Sequence, residues 1–259
     1  MKGEIMGNID VAQVTLYVFW VFFIGLVMYL RREDRREGYP LFSEPSNTYK
    51  SGDTFFIPPP KVFRLPHGGT AIAPNGKPDD RPINARKVEP WPGAPLEPTG
   101  DPMLAACGPG SYAQRADTPD QLLHGGPKIV PLRVASDFSI ETRDPDPRGM
   151  PVIGCDRKQA GVVSDVWVDR SEVLIRYLEV QLPGSGDAGG KRVLLPINFA
   201  RINRRKGVVE VNALQSHQFV NVPALKNPDQ VTLLEEDKVC AYYGAGTLYA
   251  TPQREEPLL

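Results

Sequence analysis

The sequence predicts a single N-terminal membrane-spanning α-helix followed by a mainly β domain, a small antiparallel β-barrel with a short C-terminal helix. Three observations predict it. Residues 11–30, VAQVTLYVFWVFFIGLVMYL, form a run of twenty residues without a formal charge. Of the 27 prolines, 17 fall between Pro40 and Pro127, where long helices and central strands are disfavoured. From Lys128 onward, short segments rich in Val, Ile and Leu alternate with turn signals, the pattern of a small barrel or sandwich.

The apolar run sets the organisation of the chain. At about 1.5 Å per residue a helix of this length covers roughly 30 Å, the hydrocarbon thickness of a bilayer. A lone segment in lipid must satisfy its own backbone hydrogen bonds, so it is helical. Asp10 bounds the run on one side and Arg31 and Arg32 on the other. A signal peptide would have a shorter apolar region and a small-residue cleavage site, and a buried soluble helix rarely lacks charge for so long. Before the span the basic side chain is Lys2; behind it stand Arg31, Arg32, Arg35 and Arg36. The positive-inside rule therefore puts the N-terminus outside and the remainder in the cytoplasm. The same four arginines are expected to contact anionic lipid headgroups.

Residues 31–42, RREDRREGYPLF, read as a helix continuing a turn or two past the membrane and ended by Gly38 and Pro40. The proline-rich stretch that follows carries Phe55, Phe56, Phe63 and Trp91, a heavy apolar load for a free linker. It reads as an extended strap whose aromatic rings are buried against the barrel or a partner. The predicted boundaries are 1–10 before the span, 11–30 for the span, 31–127 for the strap and 128–259 for the barrel, its C-terminal helix and tail.

Within the barrel, KIVPLRV, GVVSDVWVD, EVLIRYLEVQL, KRVLLPI and GVVEVNAL are the expected strands. Alternation in the second puts Val162, Val166 and Val168 on one face and Asp165, Trp167 and Asp169 on the other. Thr232 and Glu235 have capping-box spacing and open the helix LLEEDKVCAYY, which Gly244 is placed to close.

Composition narrows the function. A net charge of −1 gives no overall field to draw nucleic acid. Three separated cysteines in a cytoplasmic domain read as free thiols. Gly184, Gly186 and Gly189 match G-x-G-x-x-G, but a strand follows where a helix is required, so the stretch is a hairpin loop. His67, His124 and His217 lack metal-ligand spacing, and no nucleophile stands with its base. What remains is acidic groups at strand ends, Asp165, Asp169 and Glu172, with Arg176 nearby as a possible charge partner. They fit solvated surface charge, or a set of groups that collects and relays protons.

The order of motifs resembles one family, the H subunit of the purple-bacterial photosynthetic reaction centre. The residues that carry it are the N-terminal span, YLRREDRREGYPL, PTGDPM, GPGSYAQR, KIVPLRVASDFSI, DPRGMPV, DVWVDRSE, RYLEV, VLLP and LLEEDKVCAYYGAGTLYATP. The agreement is looser over residues 43–90 and 183–192. The resemblance implies a non-catalytic, single-pass subunit of the bacterial inner, chromatophore membrane, with a periplasmic N-terminus. It would cap the quinone side of the L and M subunits and supply a proton route to the secondary quinone. The chain itself would hold no cofactor; bacteriochlorophyll, bacteriopheophytin, quinones and non-haem iron would sit on L and M. Light-harvesting antenna, a cytochrome subunit and membrane lipids are further expected partners. By position, Asp169 and Glu172 match proton-path carboxylates and His124 a histidine at the proton entrance. Their closeness at a strand-to-strand turn is expected to make the two carboxylates repel, so that one holds a proton near neutral pH. Leu122 and Gly126 depart from the family pattern, where an acid and a second histidine stand. The other reading of the residues is a membrane-tethered barrel adaptor that binds a protein and moves no protons.

Overall fold

The computed structural model describes residues 4–6, 9–39, 41–50, 57–77, 81–184 and 190–255. Pro40, Phe55, Phe56, Gly186 and Gly189 lie outside the described residues. The chain divides into two compact units, Met1–Arg81 with Trp91–Gly93, and Pro82–Pro90 with Ala94–Leu259.

In the first unit, β1 (Glu4–Met6) and β2 (Ile9–Asp10) pair just ahead of α1 (Val11–Glu33). Asp10 is the N-cap, its carboxylate accepting the Gln13 N–H at 2.7 Å. The polar side chains of α1 are satisfied inside the helix, as a lipid-exposed segment requires: Thr15 Oγ1 donates to the Val11 carbonyl and Gln13 Nε2 to the Tyr17 hydroxyl. No residue of α1 is buried, and it is long and apolar enough to cross a membrane. It continues past Leu30 to Glu33, then tightens into a 3-10 turn, Asp34–Arg36, before Gly38 at φ 75°.

The proline-rich stretch folds into short antiparallel ribbons. In the first unit β3 (Leu41–Ser43) pairs with β4 (Thr48–Lys50), and β5 (Lys61–Arg64) with β6 (Thr70–Ala73). Phe63 is 39% and Trp91 55% exposed, so these two rings are not buried by the chain itself.

In the second unit β7 (Ala85–Lys87) pairs with β8 (Leu96–Pro98). The main sheet has β9 (Ile129–Pro131), β10 (Pro151–Ile153), β11 (Gln159–Asp169), β12 (Leu174–Gln181), β13 (Arg192–Pro196), β14 (Ala200–Asn203) and β15 (Val208–Val211). The order is β13-β12-β11-β10-β15-β14, with β9 also on β11. Every pair is antiparallel except β10 with β15, and the described pairings do not close the sheet on itself. The G-x-G-x-x-G stretch joins β12 to β13, which pair as a hairpin from Tyr177↔Pro196 to Gln181↔Arg192.

Simple alternation fails along β11. Val162 is 36% exposed, whereas Val163, Asp165, Val166, Trp167, Val168 and Asp169 are all buried. The register shifts between Val163 and Asp165 and again between Trp167 and Val168, and the strand's second half is covered on both faces. The core gathers Trp167, Leu178, Leu194, Leu195 and Leu214 from the sheet and its loops, with Phe219 and Tyr243.

The second helix, α2 (Leu233–Tyr249), opens on the expected capping box: Thr232 Oγ1 accepts the Glu235 N–H at 3.1 Å and Glu235 Oε2 accepts the Thr232 N–H at 2.9 Å. It does not end at Gly244. A Cβ there would lie 2.8 Å from the Pro109 carbonyl oxygen, and one on Gly246 2.3 Å from that of Ala213. These glycines admit a neighbouring backbone rather than stopping the helix.

Candidate functional site

Asp169 closes β11 and begins the turn into β12. Its Oδ1 accepts two backbone N–H groups, from Ser171 and Glu172, both at 2.9 Å. An aspartate at this position makes the turn by replacing backbone acceptors with its own side chain. The Val173 N–H then donates to the Asp169 carbonyl, with Val173 at φ 55°, a left-handed conformation unusual for a β-branched residue. The result holds Asp169 fully buried while Glu172, three residues on, keeps 49% of its side chain in solvent.

Between the two acids stands Lys128, which the sequence reading did not place. Its Nζ lies 3.1 Å from Glu172 Oε1, 3.3 Å from Asp169 Oδ2 and 3.8 Å from Asp120 Oδ2. The Glu172 carboxylate raises the ammonium above its usual value; burial opposes the rise and Asp169 adds to it. The expected pair of mutually repelling carboxylates is therefore a pair sharing one cation. Arg176 is a second cation at the site, its Nε 3.8 Å from Asp169 Oδ2. Asp169 Oδ2 nonetheless accepts no hydrogen bond from any described residue. Its nearest cations are the Lys128 ammonium at 3.3 Å and the Arg176 Nε at 3.8 Å.

Lys128 ends a loop built as a narrow ribbon. Its N–H donates to the Asp120 carbonyl at 2.8 Å, Gln121 bridges Pro127, and the Leu122 N–H donates to the Gly126 carbonyl. The tip carries His124, exposed, beside Leu123. Gly126 has φ 86°, so the position where the resemblance places a second histidine requires a left-handed backbone here. His124 and the Lys128 cluster are thus the tip and the base of one ribbon.

Asp165 takes no part in this cluster. It is buried four positions up the strand, where Arg133 Nη1 donates to its Oδ2 at 3.1 Å and to Glu179 Oε2 at 2.9 Å. Arg133 also reaches Asp229 Oδ1 at 3.0 Å and the Pro228 carbonyl. Glu179 accepts in addition from Ser164 Oγ at 2.8 Å and Trp167 Nε1 at 3.2 Å. This is a satisfied network inside the fold.

A further acid escaped the sequence reading because it lies on α2. Glu236 Oε2 accepts a 2.7 Å hydrogen bond from the Tyr177 hydroxyl. Burial pushes the Glu236 carboxyl up; the Tyr177 hydroxyl and the Arg176 and Arg115 guanidiniums pull it back, and Asp120 adds to the rise. Arg176 thereby acts electrostatically on both Asp169 and Glu236. No local spacing joins residues 128, 169, 176 and 236; only the fold does.

At the helix end Arg31, Arg32 and Arg35 lie beyond the apolar run, whereas Arg36 is engaged with Glu33 and with the carbonyls of Pro59 and Ala73. An open cleft of about 410 Å³, lined by residues that include Phe199, Arg201, Glu210 and Arg254, shares no residue with the acidic cluster. Among the described residues no three His, Cys, Asp or Glu side chains form a metal-holding group.

Two family models match this chain. The model for the photosynthetic reaction centre, H-chain N-terminal region, matches residues 3–134, and that for the PRC-barrel domain matches residues 140–218. The first takes in α1, the ribbons and the loop that carries His124 and Lys128. The second takes in β10 to β15, with Asp165, Asp169, Glu172 and Arg176. The first match alone covers just over half of the 259 residues, and this chain belongs to the family of photosynthetic reaction centre H-chains.

Proposed function

We propose that this chain caps the cytoplasmic, quinone-side face of the L and M core, stabilises it there, and conducts protons toward the secondary quinone through Glu172 and Asp169. The observation that carries the reading is the graded exposure of the two acids around one ammonium. Glu172 is half in water, Asp169 is fully buried, and Lys128 touches both. A proton taken up by Glu172 from solvent needs to cross only the radius of this cluster to reach Asp169 Oδ2. Lys128 and Arg176 hold the charge of the site balanced while it does so. His124 and Asp120, on the same ribbon as Lys128, serve the outer end, and Glu236 provides a reserve proton site behind Arg176.

The orientation follows from the basic flank, with the N-terminus periplasmic and Arg31, Arg32 and Arg35 at cytoplasmic headgroups. Bacteriochlorophyll, bacteriopheophytin, quinones and iron belong to L and M in this reading, and antenna and cytochrome subunits are neighbours of the assembled complex. The chain performs no catalytic step of its own.

The test is the second-flash, proton-coupled electron transfer to the secondary quinone in the purified complex, followed from about pH 6 to 9. Glu172→Gln, alone and with Asp169→Asn, slows it by roughly tenfold or more, while the first-flash transfer changes less. A small acid such as azide restores part of the rate by carrying protons past the gap. A double variant with wild-type second-flash kinetics across that range removes the proposal and leaves a purely structural subunit.

A further inference from the structure

We infer that the β5–β6 ribbon, residues 61–73, is a second membrane contact of this chain, lying in the headgroup layer of an anionic bilayer beside the end of α1. The helix and the ribbon are fastened together by one side chain. Arg36 Nε and Nη2 grip Glu33 at 2.7 and 2.8 Å, and Arg36 Nη1 donates to the carbonyls of Pro59 and Ala73, each at 3.0 Å. Those two carbonyls flank the open end of the ribbon, so its base is pinned to the turn that follows α1.

The pinning fixes a height. Arg36 is six residues beyond Leu30, the last residue of the apolar run; three residues of α-helix and three of 3-10 turn rise at most about 10 Å. The polar layer on each side of a bilayer is roughly 5–8 Å deep. The ribbon therefore starts at the outer edge of the headgroup layer, within reach of its long cationic side chains.

Its surface suits that place. Val62 and Ile72 face each other across the strands and are 60% and 52% exposed, and Leu65 is 47% exposed. A two-stranded ribbon is marginal in water by itself, and this one leaves its cross-strand apolar pair uncovered. Residues 61–73, KVFRLPHGGTAIA, hold Lys61, Arg64 and His67 and no acid. Lys61 lies over the Phe63 ring, a basic head on an apolar stem, and Arg64 forms no ion pair among the described residues. Arg31 and Arg32 stand in the last turn of α1, also without an ion pair among the described residues. Apolar side chains flanked by unneutralised cations at headgroup height match the chemistry of an anionic phospholipid surface.

The test places a nitroxide at Ile72→Cys in the full chain, with Cys107, Cys155 and Cys240 changed to serine, in nanodiscs containing about one-third phosphatidylglycerol. The label is expected to be severalfold more accessible to oxygen than to a water-soluble nickel chelate, whereas a control label at Lys158→Cys shows the reverse. Adding L and M leaves the Ile72 depth unchanged. Should Ile72→Cys fail to fold, Val62→Cys, its partner across the ribbon, reports the same depth. Nickel accessibility exceeding oxygen in the chain alone overturns the inference; if the label is then immobilised by L and M, the ribbon is a protein interface instead.

Discussion

Asp165 and Asp169 lie four residues apart on one strand, both buried, and their surroundings put that burial to opposite uses. Asp165 meets an arginine: Arg133 spans it and Glu179, and the second Asp165 oxygen takes the Val166 N–H at 2.8 Å. Asp169 meets a lysine, shares it with the half-exposed Glu172, and keeps one oxygen without a donor. A planar guanidinium fixes several acceptors at once, whereas an ammonium on a flexible stem is a point charge that follows its partners. The first arrangement is architecture. The second is the cluster on which the proposed proton route rests.

Four changes bear on that contrast, the largest expected effect first. Arg133→Met leaves Asp165 and Glu179 buried without their shared cation and should cost about 3 kcal/mol or more of stability. Urea unfolding of the full chain in detergent, followed by the fluorescence of buried Trp167, measures it; a loss below about 1 kcal/mol would show that the network is not structural. Lys128→Met also strips a cation from a buried carboxylate. Arg176 and two backbone N–H groups remain on Asp169, and Glu172 is in water, so about 2 kcal/mol is expected. A cost equal to that of Arg133→Met would erase the distinction between the two sites.

The third change is a pH effect at the edge of the Lys128 cluster. The raised Glu236 carboxyl means that the folded chain keeps a proton that the unfolded chain has already released. Stability must then fall as pH rises from the ordinary glutamate range through the raised value. Glu236→Gln, which can still accept from Tyr177, should remove that slope. Parallel curves for the two proteins between about pH 5 and 8 would refute it. The smallest effect is expected at the turn. Val173 is 72% exposed at φ 55°, so Val173→Gly relieves backbone strain while adding freedom to the unfolded chain. A net gain of up to about 1 kcal/mol is expected, and a loss would mean that Val173 makes contacts that outweigh its strain.

Much of the chain is legible because its determinants are local. The uncharged run of α1 carries its own hydrogen bonds, and Asp10 caps it from three residues away. Thr232 and Glu235 open α2 by a reciprocal pair at the same spacing. The placing of Asp169 and Glu172 at one turn also follows from their separation, since the carboxylate must reach the N–H groups two and three residues on. The faces of β11 were legible only in part, because register shifts and cover on both sides override a period of two.

What the sequence by itself determined is therefore the membrane helix, its basic end, the run of short strands, the capped second helix and the turn that brings two acids together. Tertiary structure alone decided which cation each acid received: Lys128 reaches Glu172 across 44 positions and Arg133 reaches Glu179 across 46. It also carried α2 through Gly244 and Gly246, where the carbonyls of Pro109 and Ala213 need the space of a missing side chain. The reason is range. Capping and turn-forming hydrogen bonds join residues whose distance the backbone fixes, whereas an ion pair forms between whichever charges the folded sheet happens to align.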